Sequence, residues 1–401
     1  MVHYDFDRPI LRTGTDSVKW DLRKEVFGRA DVIPMWVADM DFAVAEPITE
    51  ALRRRTEHPV YGYTRVPNTL LKAIIARLKR KYSWKVQPEW LVFTPGVIPA
   101  IAAAVRAYTH PGDAVVMADP VYHPFWSVVP DAGCRISASP LKLTDGRYEM
   151  DFDDLRQRFK AGDNPFRPGP PARAMILCNP HNPVGREWSR PELIEAGRIA
   201  IDAGAVVISD EIHCELLFDG VQHTPFAAIS EEFARNSLVC LSATKTFNLA
   251  GLAASVIVIP DVRLRTEFQR ARGSLMPQPD VMALAALEAA YNYGDEWLAQ
   301  LSAYLQGNLD YLMNFAAQRI PRLKVIRPEG TYLVWLDCRA LGLDKQQLRD
   351  FFITQAGVGL DDGNAFGPGG AGFQRMNIAC TRATLVEALE RIELAVNQLD
   401  W

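Results

Sequence analysis

The chain has 401 residues, 44 Lys and Arg against 48 Asp and Glu, a formal net charge of −4 and 48% hydrophobic residues. This length allows one large or two to three modest domains around a sizeable core, and the composition excludes extensive disorder, collagen-like repeats and coiled coil. The lack of a basic surplus argues against nucleic acid, no apolar run reaches the ~20 residues of a membrane span, and the acid-bearing start MVHYDFDRPI does not read as a secretory signal, so a cytoplasmic protein is expected.

From about residue 45 to 285, helical periodicity alternates with short β-branched runs, the pattern of βαβ units stacking into a mostly parallel sheet. The spacing predicts helices over 47–55, 69–81, 99–108, 153–160 and 190–203, and strands over 91–94, 114–118, 174–178, 205–209, 238–241 and 254–259. The Pro- and Gly-rich stretch 161–171 reads as a surface loop. Beyond Pro279, helix formers run from 281 to about 319 with a break near 292–295. They lead to strands at 323–327 and 332–336, a helix over 345–356, a glycine-rich loop at 363–372 read as mobile, and a final helix over 383–398. The expected fold class is therefore α/β, with a large domain at 45–285, a smaller α+β domain at 286–401, and an N-terminal segment at 1–44 packed with the small domain. The six cysteines form no C-x-x-C pair and are expected as small buried hydrophobes, with neither disulfide nor metal.

In open α/β sheets ligands bind beyond the carboxyl ends of the strands, and here those ends are chemically unusual. Strand 91–94 runs into Pro95-Gly96-Val97 and a helix, 114–118 into Asp119-Pro120-Val121-Tyr122, and 174–178 into Asn179-Pro180-His181-Asn182. Strand 205–209 ends in Asp210-Glu211-Ile212-His213 and 238–241 in Ser242-Ala243-Thr244-Lys245. Each residue alone has a plain explanation: an exposed lysine, a helix-capping acid, a core histidine, a turn asparagine. Together they describe one site. A lysine desolvated at a strand end is a usable amine nucleophile for a Schiff base. A nearby carboxylate such as Asp210 suits an aldehyde cofactor whose pyridine nitrogen must stay protonated. The Gly96-Val97 turn offers free N–H groups and a positive helix end to a phosphate, with Ser242 adding a hydroxyl. Tyr122 can stack on a ring, and Asn182 and His213 can donate to a ring oxygen.

The ordered motifs MWVADMDF (35–42), VYGYT (60–64), NPHNPVG (179–185), SDEIH (209–213), SATKTFNLAGL (242–252) and FQRMNIAC (373–380) cover nearly the whole chain. With them the chain resembles the fold-type I pyridoxal-phosphate enzymes of the aspartate aminotransferase superfamily, and within it the bacterial cystathionine β-lyase and cystalysin-like C–S lyases. The resemblance implies an aspartate-aminotransferase-like fold and pyridoxal 5'-phosphate as cofactor. Lys245 would bond its aldehyde, Asp210 pair with the ring nitrogen, Tyr122 stack on the ring, and Asn182 and His213 contact the phenolic oxygen. It further implies that Gly96, Val97 and Ser242 serve the phosphate, that Arg375 grips the substrate α-carboxylate, and that Tyr61 reaches the neighbouring subunit's cofactor in a homodimer. In one respect the sequence departs from many aminotransferases: the position eight residues after the lysine is Ala253 instead of a phosphate-neutralising arginine.

The glycines of GNAFGPGGAG (363–372) do not follow a strand or open a helix within a βαβ unit, so they are not a dinucleotide fingerprint. Two enzyme classes share the site as far as α-proton removal by Lys245. The motifs favour β-elimination on cystathionine, cysteine or S-substituted cysteine, with aminotransfer as the alternative. A cofactor-binding transcriptional regulator would need a further basic domain. Trp36, Phe125, Trp126 and Phe366 are candidates for an apolar substrate wall.

Overall fold

The computed structural model describes residues 2–160, 170–273 and 276–399; most of the loop expected at 161–171 lies outside them. The central sheet has seven strands in the order Leu91–Thr94, Ser255–Val258, Ser237–Leu241, Val206–Asp210, Ala172–Cys178, Ala114–Asp119 and Arg135–Pro140. Six run parallel; Ser255–Val258 pairs antiparallel with both of its neighbours. The continuous apolar runs of the inner strands follow from burial on both faces. Alternate residues divide cleanly: Val116, Met175, Val207, Val239 and Val256 face one core, and Val115, Ala174, Ile208, Leu238 and Ile257 the other.

Flanking helices bury one stripe each. In Asn68–Tyr82 the buried positions Leu70, Ala73, Ile74, Arg77 and Leu78 recur at helical spacing, and the intruding Arg77 is paired with Glu215 and Asp295. The expected break in the long helical run falls at Gly294, between Val281–Tyr293 and Asp295–Arg319. A second, antiparallel sheet follows in the order Lys324–Ile326, Leu333–Asp337, Phe373–Asn377 and Asp361–Asp362. Residues Ile33–Pro34 pair with Val358–Gly359, so this part of the N-terminal segment joins the C-terminal part of the chain.

Several elements differ from the sequence reading. The helix expected over 345–356 is α only through Asp350 and ends in a π turn at Phe351–Gln355. The strands Arg135–Pro140 and Phe373–Asn377 and the helix Val262–Arg272 were not anticipated. The glycine-rich loop is wound into two 3-10 turns, Gly363–Phe366 and Pro368–Gly370, and its middle is packed instead of loose. A Cβ on Gly363 would lie 2.2 Å from the Gly370 carbonyl oxygen, so two stretches of bare backbone touch there. All six cysteines are buried and free. Among the described residues no helix is long and apolar enough to cross a membrane.

Candidate active site

The parallel strands deliver their carboxyl ends to one rim, where a cavity of about 270 Å³ opens. Gly96, Val97, Tyr122, Asn182, Asp210, His213 and Lys245 all line it, so seven of the residues singled out from the sequence meet there. At one end Gly96 precedes the helix Val97–Tyr108, whose first N–H groups have no partner within the helix. At the other, Asp210 closes the strand Val206–Asp210.

Lys245 sits in a single helical turn, Ala243–Thr246, just after the buried strand Ser237–Leu241. Its Nζ donates to the Ala38 carbonyl at 2.6 Å, an oxygen that also accepts from the Tyr332 hydroxyl at 2.9 Å. Burial, with Arg375 adding repulsion, pulls the ammonium down to about 8 from 10.5. The Ala38 carbonyl is held in place because two sequence motifs, 242–252 and 373–380, both grip the segment 35–42 that carries it. Asn248, three residues beyond Lys245, donates to Met40 and Phe42 carbonyls, and Asn377 donates to Val37 and Asp39 carbonyls. Arg12 and the buried Lys19 pair with Asp41 at 2.7 and 2.8 Å from the other side.

Burial pushes Asp210 up to about 7; among the described residues its one hydrogen-bond partner is the Ile212 N–H. This carboxyl has given up water without gaining a cation, which suits it to a positively charged ring atom. His213 is driven down to about 3 by burial, so its imidazole is neutral, and its buried Nδ1 has no partner among the described residues. Burial also raises the Tyr122 phenol, which stays protonated.

Arg375 lies on the strand Phe373–Asn377 directly opposite Asp361, with which it forms a cross-strand ion pair. It also donates to Asn182 Oδ1 and the Trp36 carbonyl, both at 3.0 Å, and rests on the Phe366 ring. Its buried Nε has no partner among the described residues, which leaves a donor for an incoming anion. Phe366 is carried by the glycine-rich turns. Those turns are tied to the strand end ahead of Tyr122 by Gly369 N–H on Asp119 at 3.0 Å and by Trp126 Nε1 on the Phe366 carbonyl at 3.0 Å.

Three expected residues do not line the cavity: Ser242, Tyr61 and Arg375, the last of which stands behind the lining residue Asn182. Ser242 caps the Lys245 turn, accepting from Thr244 N–H and donating to the Ala254 carbonyl at 2.6 Å; Thr244 lines the cavity in its place. Tyr61 lies 59% exposed in the segment around Val60 to Tyr63, itself largely exposed, with Arg55 over its ring. The proposed aromatic wall is also absent. Phe125 and Phe366 are fully buried, Trp126 supports the loop, and Trp36 donates to the Lys19 carbonyl; none lines the cavity. Ala253 does, in the left-handed region at φ 38°, so this position brings a methyl and no charge to the cavity. Sequence reasoning did not find Ala38, Tyr332, Thr244 or Asp361. Ala38 lay within a recognised motif, but a backbone carbonyl has no sequence signature.

Residues 30–392 match the model of the aminotransferase class I and II family, and the chain belongs to it. Over 394 residues it is 42% identical to the cystathionine beta-lyase PatB of Bacillus subtilis, covering 98% of this chain and 100% of that protein. It is similar to the structure of cystalysin from Treponema denticola, which contains a pyridoxal 5'-phosphate cofactor: TM-score 0.94, 33% identity, 100% of both chains. The PLP-bound C–S lyase of Staphylococcus hominis matches with a TM-score of 0.91, 31% identity and 98% of both chains. The resemblance and the aspartate-aminotransferase-like fold expected from the motifs are thereby borne out.

Proposed function

We infer that this chain is a pyridoxal-phosphate-dependent carbon–sulfur β-lyase, acting on cystathionine, cysteine or an S-substituted cysteine to give a thiol, pyruvate and ammonia. The observation that carries the reading is the convergence on one cavity of a desolvated amine, a carboxyl short of a cation and a helix N-terminus. These match the aldehyde, the protonated ring nitrogen and the phosphate. The helix amides after Gly96 and the Thr244 hydroxyl would hold the phosphate, Asp210 the ring nitrogen, Lys245 the aldehyde, and Asn182 and His213 the ring oxygen, with Tyr122 against the ring. When bound, the cofactor supplies an electron sink for negative charge at the substrate Cα.

The chain's own residues do the rest. Arg375 binds the α-carboxylate through its planar fork and free Nε–H. Lys245, lowered toward neutrality, takes the α-proton as a general base. As the Cβ–S bond breaks its electron pair leaves with sulfur, which takes a proton from Lys245 or from the protonated Tyr122 hydroxyl. Among the described residues Lys245 is the one cation lining the cavity, and Arg375 behind Asn182 is assigned to the α-carboxylate, so the lining offers no further cation to the second carboxylate of an acidic substrate.

The assembly we propose is a symmetric homodimer, in which exposed Tyr61 crosses to the partner's phosphate. The working division is a cofactor-binding domain at 45–285 and a small domain at 286–401 with the N-terminal segment, in a cytoplasmic enzyme. Purified protein incubated with L-cystathionine should release pyruvate faster than it converts aspartate or glutamate to keto acids. The reverse order replaces the lyase reading with an aminotransferase.

A further inference from the structure

On the side of the strand end away from the cavity lies a second ionisable cluster, which the reaction as derived does not use. His223 is buried with its Nδ1 3.0 Å from Glu187 Oε1 and its Nε2 2.8 Å from Glu211 Oε2. Both carboxylates are buried too. Glu211 accepts from Ser209 Oγ and Phe226 N–H at 2.8 Å each, and Glu187 accepts from Asn179 Nδ2 at 2.9 Å. Tyr82 of the helix Asn68–Tyr82 packs edge-on to the imidazole. A ring that meets a carboxylate at each nitrogen must carry both protons. Burial alone would lower its affinity for the second proton, but the two carboxylates reverse this and raise His223 to about 10.

None of these side chains lines the cavity, yet Glu211 and Asn179 are each one peptide from residues that do. Glu211 follows Asp210 directly, and its N–H is fixed on the Cys240 carbonyl at 3.0 Å. Asn179 donates its N–H to the Asp210 carbonyl at 2.9 Å, takes the Trp188 N–H on Oδ1, and begins the turn that ends in Asn182. The cluster thus clamps the ends of Ala172–Cys178 and Val206–Asp210 to each other.

We propose that His223, donating from both ring nitrogens to Glu187 and Glu211, is a positioning residue that fixes the Asp210 carboxyl and the Asn182 turn and sets the charge behind them. With a neutral side chain at 223 one carboxylate loses its donor, and two buried like charges face each other beside Asp210. This rests on the reading that Asp210 serves the cofactor's ring nitrogen.

The test uses the holoenzyme with H223Q, E187Q and the double variant H223Q/E187Q. The cluster carries a net −1 in the native protein, −2 in H223Q, zero in E187Q and −1 again in the double variant. For H223Q the pH midpoint of the bound cofactor's absorption change should move up by about 0.5–1 pH unit, the scale of one added charge at this range. For E187Q it should move down, and in the double variant return toward native. In H223Q kcat should fall about tenfold with KM within about threefold. A folded H223Q with a native midpoint and native kcat overturns the proposal. So does a double variant displaced as far as H223Q, because loss of packing alone would not be repaired by removing a charge. If H223Q does not fold, E187Q carries the decision: a downward midpoint supports the proposal and an unchanged one overturns it. Native protein that acquires no visible absorption band with pyridoxal phosphate refutes the proposed function instead.

Discussion

The state of Lys245 can be tested through stability alone, with no turnover. Its ammonium is held at about 8 in the folded chain against 10.5 for a free lysine, so between these values the unfolded chain binds more protons than the folded one. Stability must then rise with pH across that window. The penalty is fully present below pH 8 and gone above 10.5. At about 1.4 kcal/mol per tenfold change in proton affinity, it amounts to roughly 3 kcal/mol at pH 7. Lys245→Met keeps the length of the side chain and removes the charge. It forfeits the bond to the Ala38 carbonyl, worth about 1–3 kcal/mol and nearly independent of pH. The measurement is urea unfolding of the two cofactor-free proteins from pH 7 to 10.5, taking the difference so that tyrosines and other groups cancel. Native protein should gain about 3 kcal/mol relative to the variant over that range, mostly above pH 8. A flat difference would mean that the amine is not desolvated, and the argument for its nucleophilicity would fall with it. With cofactor restored, Lys245→Met should release pyruvate only at background.

Arg375→Ala should lower kcat/KM by about 10²-fold, the equivalent of ~3 kcal/mol for lost charge-assisted hydrogen bonds, and equally for all α-amino acid substrates. A loss confined to one substrate would place Arg375 at the side chain instead. Gly367→Ala adds a methyl 2.3 Å from the Trp126 ring at a backbone φ of 113°, so the turns under Phe366 must shift. KM should rise several-fold with cofactor affinity unchanged, as read by steady-state kinetics and cofactor titration; unchanged KM would show that the loop does not support Arg375. Sedimentation at assay concentration should show two chains per particle, and fully active monomers would exclude the role proposed for Tyr61.

Much of the site was legible because burial and chemistry coincide at the strand ends. The inner strands are continuous apolar runs, each halted by a turn that begins with a polar residue, so the rim could be read residue by residue. What escaped notice was polar and buried, or apolar in neither period. Phe373–Asn377 reads FQRMN, yet Gln374, Arg375 and Asn377 are all buried; Arg375 and Asn377 find their partners in Asp361, Asn182 and backbone carbonyls, which no local pattern reveals. Arg135–Pro140 is an edge strand with only Ser137 and Ser139 turned fully inward. The antiparallel course of Ser255–Val258 follows from the chain's path and not from its composition. The exchange of Ser242 for Thr244 has a local cause: the first hydroxyl is consumed in capping the turn that presents Lys245, which leaves the next one free to line the cavity.

The two faces of the strand Val206–Asp210 show how the fold separates structure from function. Away from the cavity, buried charges come with their partners: Glu211 has a serine, a backbone N–H and the imidazole, and His223 has a carboxylate at each nitrogen. Toward the cavity, their satisfaction is incomplete. Among the described residues Asp210 has no cation in contact, His213 Nδ1 and Arg375 Nε have no hydrogen-bond partner, and Lys245 is held well below its free value. Buried polar groups left unsatisfied are expensive and therefore rare in a folded chain, so His213 Nδ1 and Arg375 Nε, beside a desolvated carboxyl and a desolvated amine, mark a place where the chain can take bonds from outside itself. A ligand that supplies a ring cation to Asp210, an aldehyde carbon to Lys245 and carboxylate oxygens to Arg375 relieves these deficits together. Its binding energy is then folding energy, and the same groups that destabilise the empty site are the ones that make it reactive.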